Sequence, residues 1–162
     1  MSQGEYLGIW PLFIYGLACG DLVLNWKPSR HDIHWPHLAT GILLLEVLFH
    51  SFYRFWENMD NLMPGYGPFL LQMIRPLVFL AAVGYFTPPP DRHPKEYFKE
   101  NIRIIFSLLV IFVIANGFLE QDFYVGRIAA IGLLGAVAIT RKEWMVYLVI
   151  ALRVTSQIIQ LF

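Results

Sequence analysis

The chain has 162 residues, 57% of them hydrophobic and 16% aromatic, with only 15% charged, and its mean hydropathy is +0.52. A soluble domain of this size could not hide that much apolar surface, so a membrane protein is expected. Formal net charge is zero, which leaves no basic field for nucleic acid, and the lone cysteine, Cys19, excludes an intrachain disulfide and any multi-cysteine zinc or iron–sulfur site.

A spanning helix needs about 20 mostly apolar residues, and on that measure the chain divides at its polar punctuation into six spans. They fall near residues 6–25, 36–56, 68–87, 101–119, 123–140 and 144–162, giving an all-α, polytopic transmembrane helix bundle in a single domain, 1–162. Connections this short are expected to make sequential helices neighbours.

The first span opens on MSQGEYLGIWPLF, which carries an acid and no lysine or arginine, so it is expected to be retained rather than cleaved as a signal peptide. Near its end, GLACGD sets Gly16, Ala18 and Gly20 where a neighbouring backbone can approach closely. Asp21 follows, and its expected partner is Arg103, near the same face on the fourth span.

The loop NWKPSRHDIHW is basic through Lys27 and Arg30. Its continuation HDIHWPH spaces His31, His34 and His37 at three-residue intervals, and Pro36 interrupts any helix that would present all three. We read them as interfacial histidines that touch headgroups or cap the next helix, not as a metal site.

The second span carries Glu46, His50 and Arg54 every fourth residue, hence on one helix face. Glu46 lies ten residues beyond Pro36, roughly 15 Å deep. Ionisable groups there are costly in hydrocarbon, so the stripe must face the bundle interior. Glu46 either pairs with Arg153, about equally deep in the last span, or is protonated and shares a hydrogen bond with His50. His50 is also a candidate lone haem ligand, although no cofactor and no metal site are expected.

After the acidic loop ENMDNLMPGYG, the third span holds Arg75 in QMIRPLVFL, about 10 Å in, with Pro76 behind it. The loop TPPPDRHPKE reads as a stiff extended turn leading into an interfacial stretch, EYFKEN. Beyond the fourth span, LEQD is a short acidic loop. Arg127 in YVGRIAAIG then enters the fifth span from the same side as Arg54 and Arg75, and the three arginines form either an anion site or a set of snorkelling side chains. The last span, with Arg153, Thr155, Ser156, Gln157 and Gln160, is expected to face protein, as is Asn116 in the fourth.

Basic residues occupy the first, third and fifth loops, whereas the second and fourth carry Glu57, Asp60, Glu120 and Asp122. That alternation places the basic loops in the cytoplasm and both termini outside. Trp10, Trp26, Trp35, Trp56 and Trp144 all fall near span ends, where indole rings sit at the headgroups. Two three-span halves of opposite orientation suit an inverted repeat, but no internal similarity between them is visible. P-loop, serine-hydrolase elbow, zincin and potassium-filter motifs are absent.

Through YGLACGDLV, HWPHL, RPLVFLAAVGYFTPPP and EYFKENIRIIF the chain resembles a group of small, uncharacterised bacterial polytopic inner-membrane proteins. The resemblance implies a multi-pass protein of the bacterial inner membrane and transfers no activity or site residue. The expected function is a small transport or channel module whose polar path, biased to anions or protons, is lined by Glu46, His50, Arg54, Arg75, Arg127 and Arg153. The alternative is an accessory or scaffold subunit whose buried charges bind lipid headgroups or partner proteins. Under either reading a homo-oligomer or a larger membrane complex is expected, and no catalytic residue is assigned.

Overall fold

The computed structural model describes residues 3–26, 33–57, 66–120 and 124–161. Six helices account for nearly all of them: α1 (Gln3–Asn25), α2 (Trp35–Glu57), α3 (Tyr66–Phe86), α4 (Pro94–Glu120), α5 (Val125–Thr140) and α6 (Met145–Leu161). No strand occurs among the described residues. Segments Gly8–Asn25, Trp35–Glu57 and Pro94–Glu120 are long and apolar enough to cross a membrane, and Gln72–Phe86, Val125–Thr140 and Met145–Ile158 are apolar but shorter. Lys27, Arg30, His31, Asp60 and Asp122 lie outside the described residues.

One hydrophobic core draws on all six helices, from Leu22 on α1 and Leu44 on α2 through Phe79, Phe86, Phe98 and Phe106 to Val137 and Val146 on α5 and α6. The outer surface carries many large apolar side chains, Phe13, Leu24, Phe49, Phe118 and Ile139 among them. A water-facing protein seldom presents so much contiguous apolar surface.

Packing does not follow chain order throughout. The packed pairs run α1 to α3, α3 to α4, α4 to α5, α5 to α6, α6 to α2 and α2 back to α1, so the helices close into a ring, with a minor contact between α2 and α4 across it. Among the described residues α2 and α3 are not a packed pair, which corrects the expectation that all sequential helices adjoin. Residues 58–65 can span about 25 Å when extended, well beyond a packed interaxial distance of about 8–10 Å, so their length does not force contact.

Several local expectations are also revised. EYFKEN forms the first turns of α4, continuous with the span that follows it. Pro94 opens that helix, where a missing N–H costs nothing, and Tyr97 N donates to His93 O at 3.0 Å. Pro36 likewise sits in the first turn of α2 without breaking it, since Leu38 N donates to His34 O at 3.0 Å. Arg141 ends α5 in the left-handed conformation, φ 55°, its N–H donating to Val137 O.

The close helix approach falls elsewhere than GLACGD. A Cβ at Gly16 or Gly20 would meet nothing within 4 Å, whereas at Gly41 it would lie 2.3 Å from Cζ2 of Trp26. The Trp26 indole therefore lies against the bare backbone of α2, 6.0 Å from the Phe86 ring, with its Nε1 buried and without a hydrogen-bond partner. Trp10, Trp35, Trp56 and Trp144 are exposed, as expected of interfacial indoles, but Trp26 is not among the exposed apolar side chains.

His34 and His37 depart from the headgroup reading as well. His34 Nε2 is 3.0 Å from the Glu143 carboxylate, which also takes Lys99 at 3.7 Å. His37 is 2% exposed and stacks on Phe86 with ring centroids 4.5 Å apart. Both rings also meet Phe98. These histidines tie the start of α2 to α3, to α4 and to the turn before α6.

Candidate functional site: an arginine-lined cavity

On α2 the four-residue spacing does place Glu46, His50 and Arg54 along one face, and that face meets α6. Arg153 Nε donates to Glu46 Oε2 at 2.8 Å and its Nη2 to Oε1 at 3.0 Å, a bidentate pair. Gln157, one turn further along α6, donates to Glu46 Oε1 as well. A partly buried carboxyl needs donors to offset its desolvation, and α6 supplies three from two residues.

Above this pair lies a cavity of about 300 Å³. Five of the six helices contribute to its wall: Leu43, Val47, His50, Ser51 and Arg54 from α2, Arg75 from α3, Leu109, Phe112, Val113, Asn116 and Glu120 from α4, Gly126, Arg127, Ala130 and Leu134 from α5, and Val149, Leu152, Arg153 and Ser156 from α6. Tyr124, just before α5, completes it. Four arginines thus converge from four helices, with His50 beside them.

Glu120, at the end of α4, organises the cationic end. Its Oε2 accepts from Arg127 Nη2 at 2.6 Å, and its Oε1 lies 3.7 Å from Arg75 Nη1. The Arg127 guanidinium also sits over the Tyr124 ring, 5.4 Å from its centroid. Arg75 donates to Asn116 Oδ1 at 3.2 Å, a bond between α3 and α4. Arg75 and Arg127 side chains are only 16% and 12% exposed, so both turn inward. Arg54 is the outlier, about half exposed and 3.3 Å from Glu57 on its own helix.

No family model, no curated protein and no solved structure matches the chain.

The structure brings together His50, Arg54, Arg75, Arg127 and Arg153 at one cavity, with Glu46 anchoring the last of them. It does not bring together Asp21 and Arg103. Asp21 accepts hydrogen bonds from Thr87 Oγ1 at 2.9 Å and from Asn25 Nδ2, while Arg103 is exposed. The expected pair is corrected to a tie between α1 and α3, because α1 packs on α3 and the face of α4 bearing Arg103 turns outward. Among the described residues no group of three or more histidine, cysteine or acidic side chains is placed to hold a metal ion.

Sequence reasoning missed Glu120, Ser51 and Tyr124 as site residues. Glu120 looked like a loop acid in LEQD, and only the extension of α4 to that residue turns it inward. The signal available was its spacing: Leu109, Phe112, Val113, Asn116 and Glu120 recur at three and four residues, hence on one helix face.

Proposed function

We propose that the chain is a six-span integral membrane protein of the bacterial inner membrane with both termini on the external face. Three helices of sufficient length, the apolar outer surface and the alternation of basic and acidic loops support this reading. Helices α5 and α6, about 24–26 Å long, are short for a hydrocarbon core of about 30 Å, a mismatch that local bilayer thinning accommodates.

Within that frame we propose a small transport module whose cavity receives an anion from the external side. The observation that carries this is the convergence of four arginines from four helices on one cavity. Guanidinium groups in a site shielded from water recognise carboxylate and phosphate by bidentate hydrogen bonds. Toward the basic loops the bundle is closed by the packed side chains of Val83, Phe86, Phe98, Ile102 and Phe106. Passage through it therefore requires the helices to shift, which favours alternating access over a standing channel.

The second reading, an accessory subunit with structural charges, is favoured by a different observation: each of the four arginines has a carboxylate partner within 4 Å. Flux separates the two. Purified protein in liposomes is expected to exchange phosphate or small carboxylates, with Arg75→Gln lowering the rate at least tenfold while leaving assembly intact, and Arg75→Lys recovering part of it because the charge remains without the fork. Absence of flux under an imposed gradient, together with a heteromeric mass in native lipid, would support the accessory subunit instead.

A further inference from the structure

We propose that the ligand of this cavity is an amphiphilic anion, one carboxylate or phosphate group carrying a single unbranched apolar chain; the inference rests on the anion-site reading above. Its basis is the gradation of the wall. On α2 the lining passes from Leu43 and Val47 to Ser51 and Arg54; on α4 it passes from Leu109 to Asn116 and Glu120. Helix α5 runs the opposite way and begins with Arg127 before reaching Ala130 and Leu134, and α6 runs from Val149 to Arg153 and Ser156. All four helices therefore place their polar lining at one end of the cavity and their apolar lining at the other.

The dimensions fit the same ligand. Leu43 to Arg54 and Leu109 to Glu120 each span eleven residues, about 16 Å along a helix axis. Lining residues run the whole of that length on both helices, so the cavity of about 300 Å³ extends along the helix axes. A small inorganic anion would occupy the arginine end and leave the apolar end empty, at a cost in lost contacts that a chain would recover. At the polar end, Arg75 commits one donor to Asn116 and stands 3.7 Å from Glu120, so its other N–H groups can meet a head group.

The test is binding by calorimetry to the full chain in nanodiscs of zwitterionic phosphatidylcholine, since detergent would compete for the apolar end. Octanoate, octanol and acetate are the probes. Burying a methylene strengthens binding about fourfold, so octanoate, six methylenes longer than acetate, is expected to bind at least about 100-fold tighter. Octanol is expected to bind at least about tenfold more weakly than octanoate, and Arg75→Gln to abolish that difference. Leu134→Phe and Val149→Phe, which fill the apolar end, are expected to bring octanoate down toward acetate; an unfolding temperature close to that of the wild type, measured in the same nanodiscs, reports that each variant is folded.

Equal binding of acetate and octanoate would overturn the amphiphile while leaving the anion site standing. Equal binding of octanol and octanoate would overturn the role of the arginines in choosing the head. If no anion binds at all, the anion-site reading itself fails. The source of the ligand is read from a second arm: displacement of octanoate by single-chain lysophosphatidylglycerol in the nanodisc supports a membrane lipid, and undiminished octanoate binding supports a free amphiphile.

Discussion

Glu46→Gln and Arg153→Gln are each expected to destabilise the protein by about 3 kcal/mol, because removal of one partner leaves the other charge uncompensated away from water. The bidentate bonds at 2.8 and 3.0 Å make the loss mutual, and Gln157 alone cannot neutralise Glu46. The double substitution leaves two amides able to bond one another, and it is expected to cost less than the sum of the singles by at least about 1 kcal/mol. Thermal unfolding of the four proteins in the same lipid measures the coupling. Strict additivity would mean that α2 and α6 do not meet through this pair. The effect is large because these two residues fasten the joint that closes the helix ring.

Gly41→Ala is expected to cost about 2 kcal/mol, an overpacking penalty, since the new Cβ would lie 2.3 and 2.4 Å from two carbons of the Trp26 ring. The Phe86 ring is packed beside the indole, 6.0 Å between centroids, which restricts how the indole can yield. The background decides the sign. With Trp26→Leu the obstruction is gone, and Gly41→Ala is then expected to stabilise by up to about 1 kcal/mol through the lower backbone entropy of alanine in a helix. If Gly41→Ala is neutral in both backgrounds, the indole does not rest on the α2 backbone and the packing of α1 on α2 is different from that described.

These two joints differ in how far the sequence revealed them. Glu46 and Arg153 were legible because depth can be counted along a helix: each lies about ten residues into its span, and an acid in hydrocarbon needs a partner at its own level. The Trp26–Gly41 contact was not legible. Tryptophans near span ends usually sit at headgroups, and nothing in ATGILL marks its glycine as the one under a ring. The small-residue run in α1 carried the stronger signal yet leaves Gly16 and Gly20 with open space. Small residues permit close approach without compelling it, and which neighbour arrives is decided by the whole bundle.

The number and type of helices were also legible, since apolar runs and polar punctuation act locally. Their ring order was not, because helix pairing depends on faces and not on loop length alone. Likewise the arginines could be counted and given depths, but their convergence could not be read. Arg75 and Arg127 became a unit only through Glu120, whose place at the last turn of α4 rather than in a loop depends on a single residue of helix length, the expected span ending near 119 and the helix at Glu120. Arg103 illustrates the converse: its depth matched Asp21, but its face did not.

On the proposed function, the cavity between α2 and the α4–α6 side receives an anion at Arg75. The most direct test is to locate one. Crystals of the protein grown in a lipid phase and soaked in selenate would give an anomalous selenium peak, expected within about 4 Å of the Arg75 guanidinium, the reach of a charge-assisted hydrogen bond to a bound oxyanion. The peak is expected to vanish in Arg75→Gln crystals. A wild-type cavity with no peak at saturating selenate, or peaks confined to the exposed basic residues such as Arg92 and Lys142, would contradict the claim.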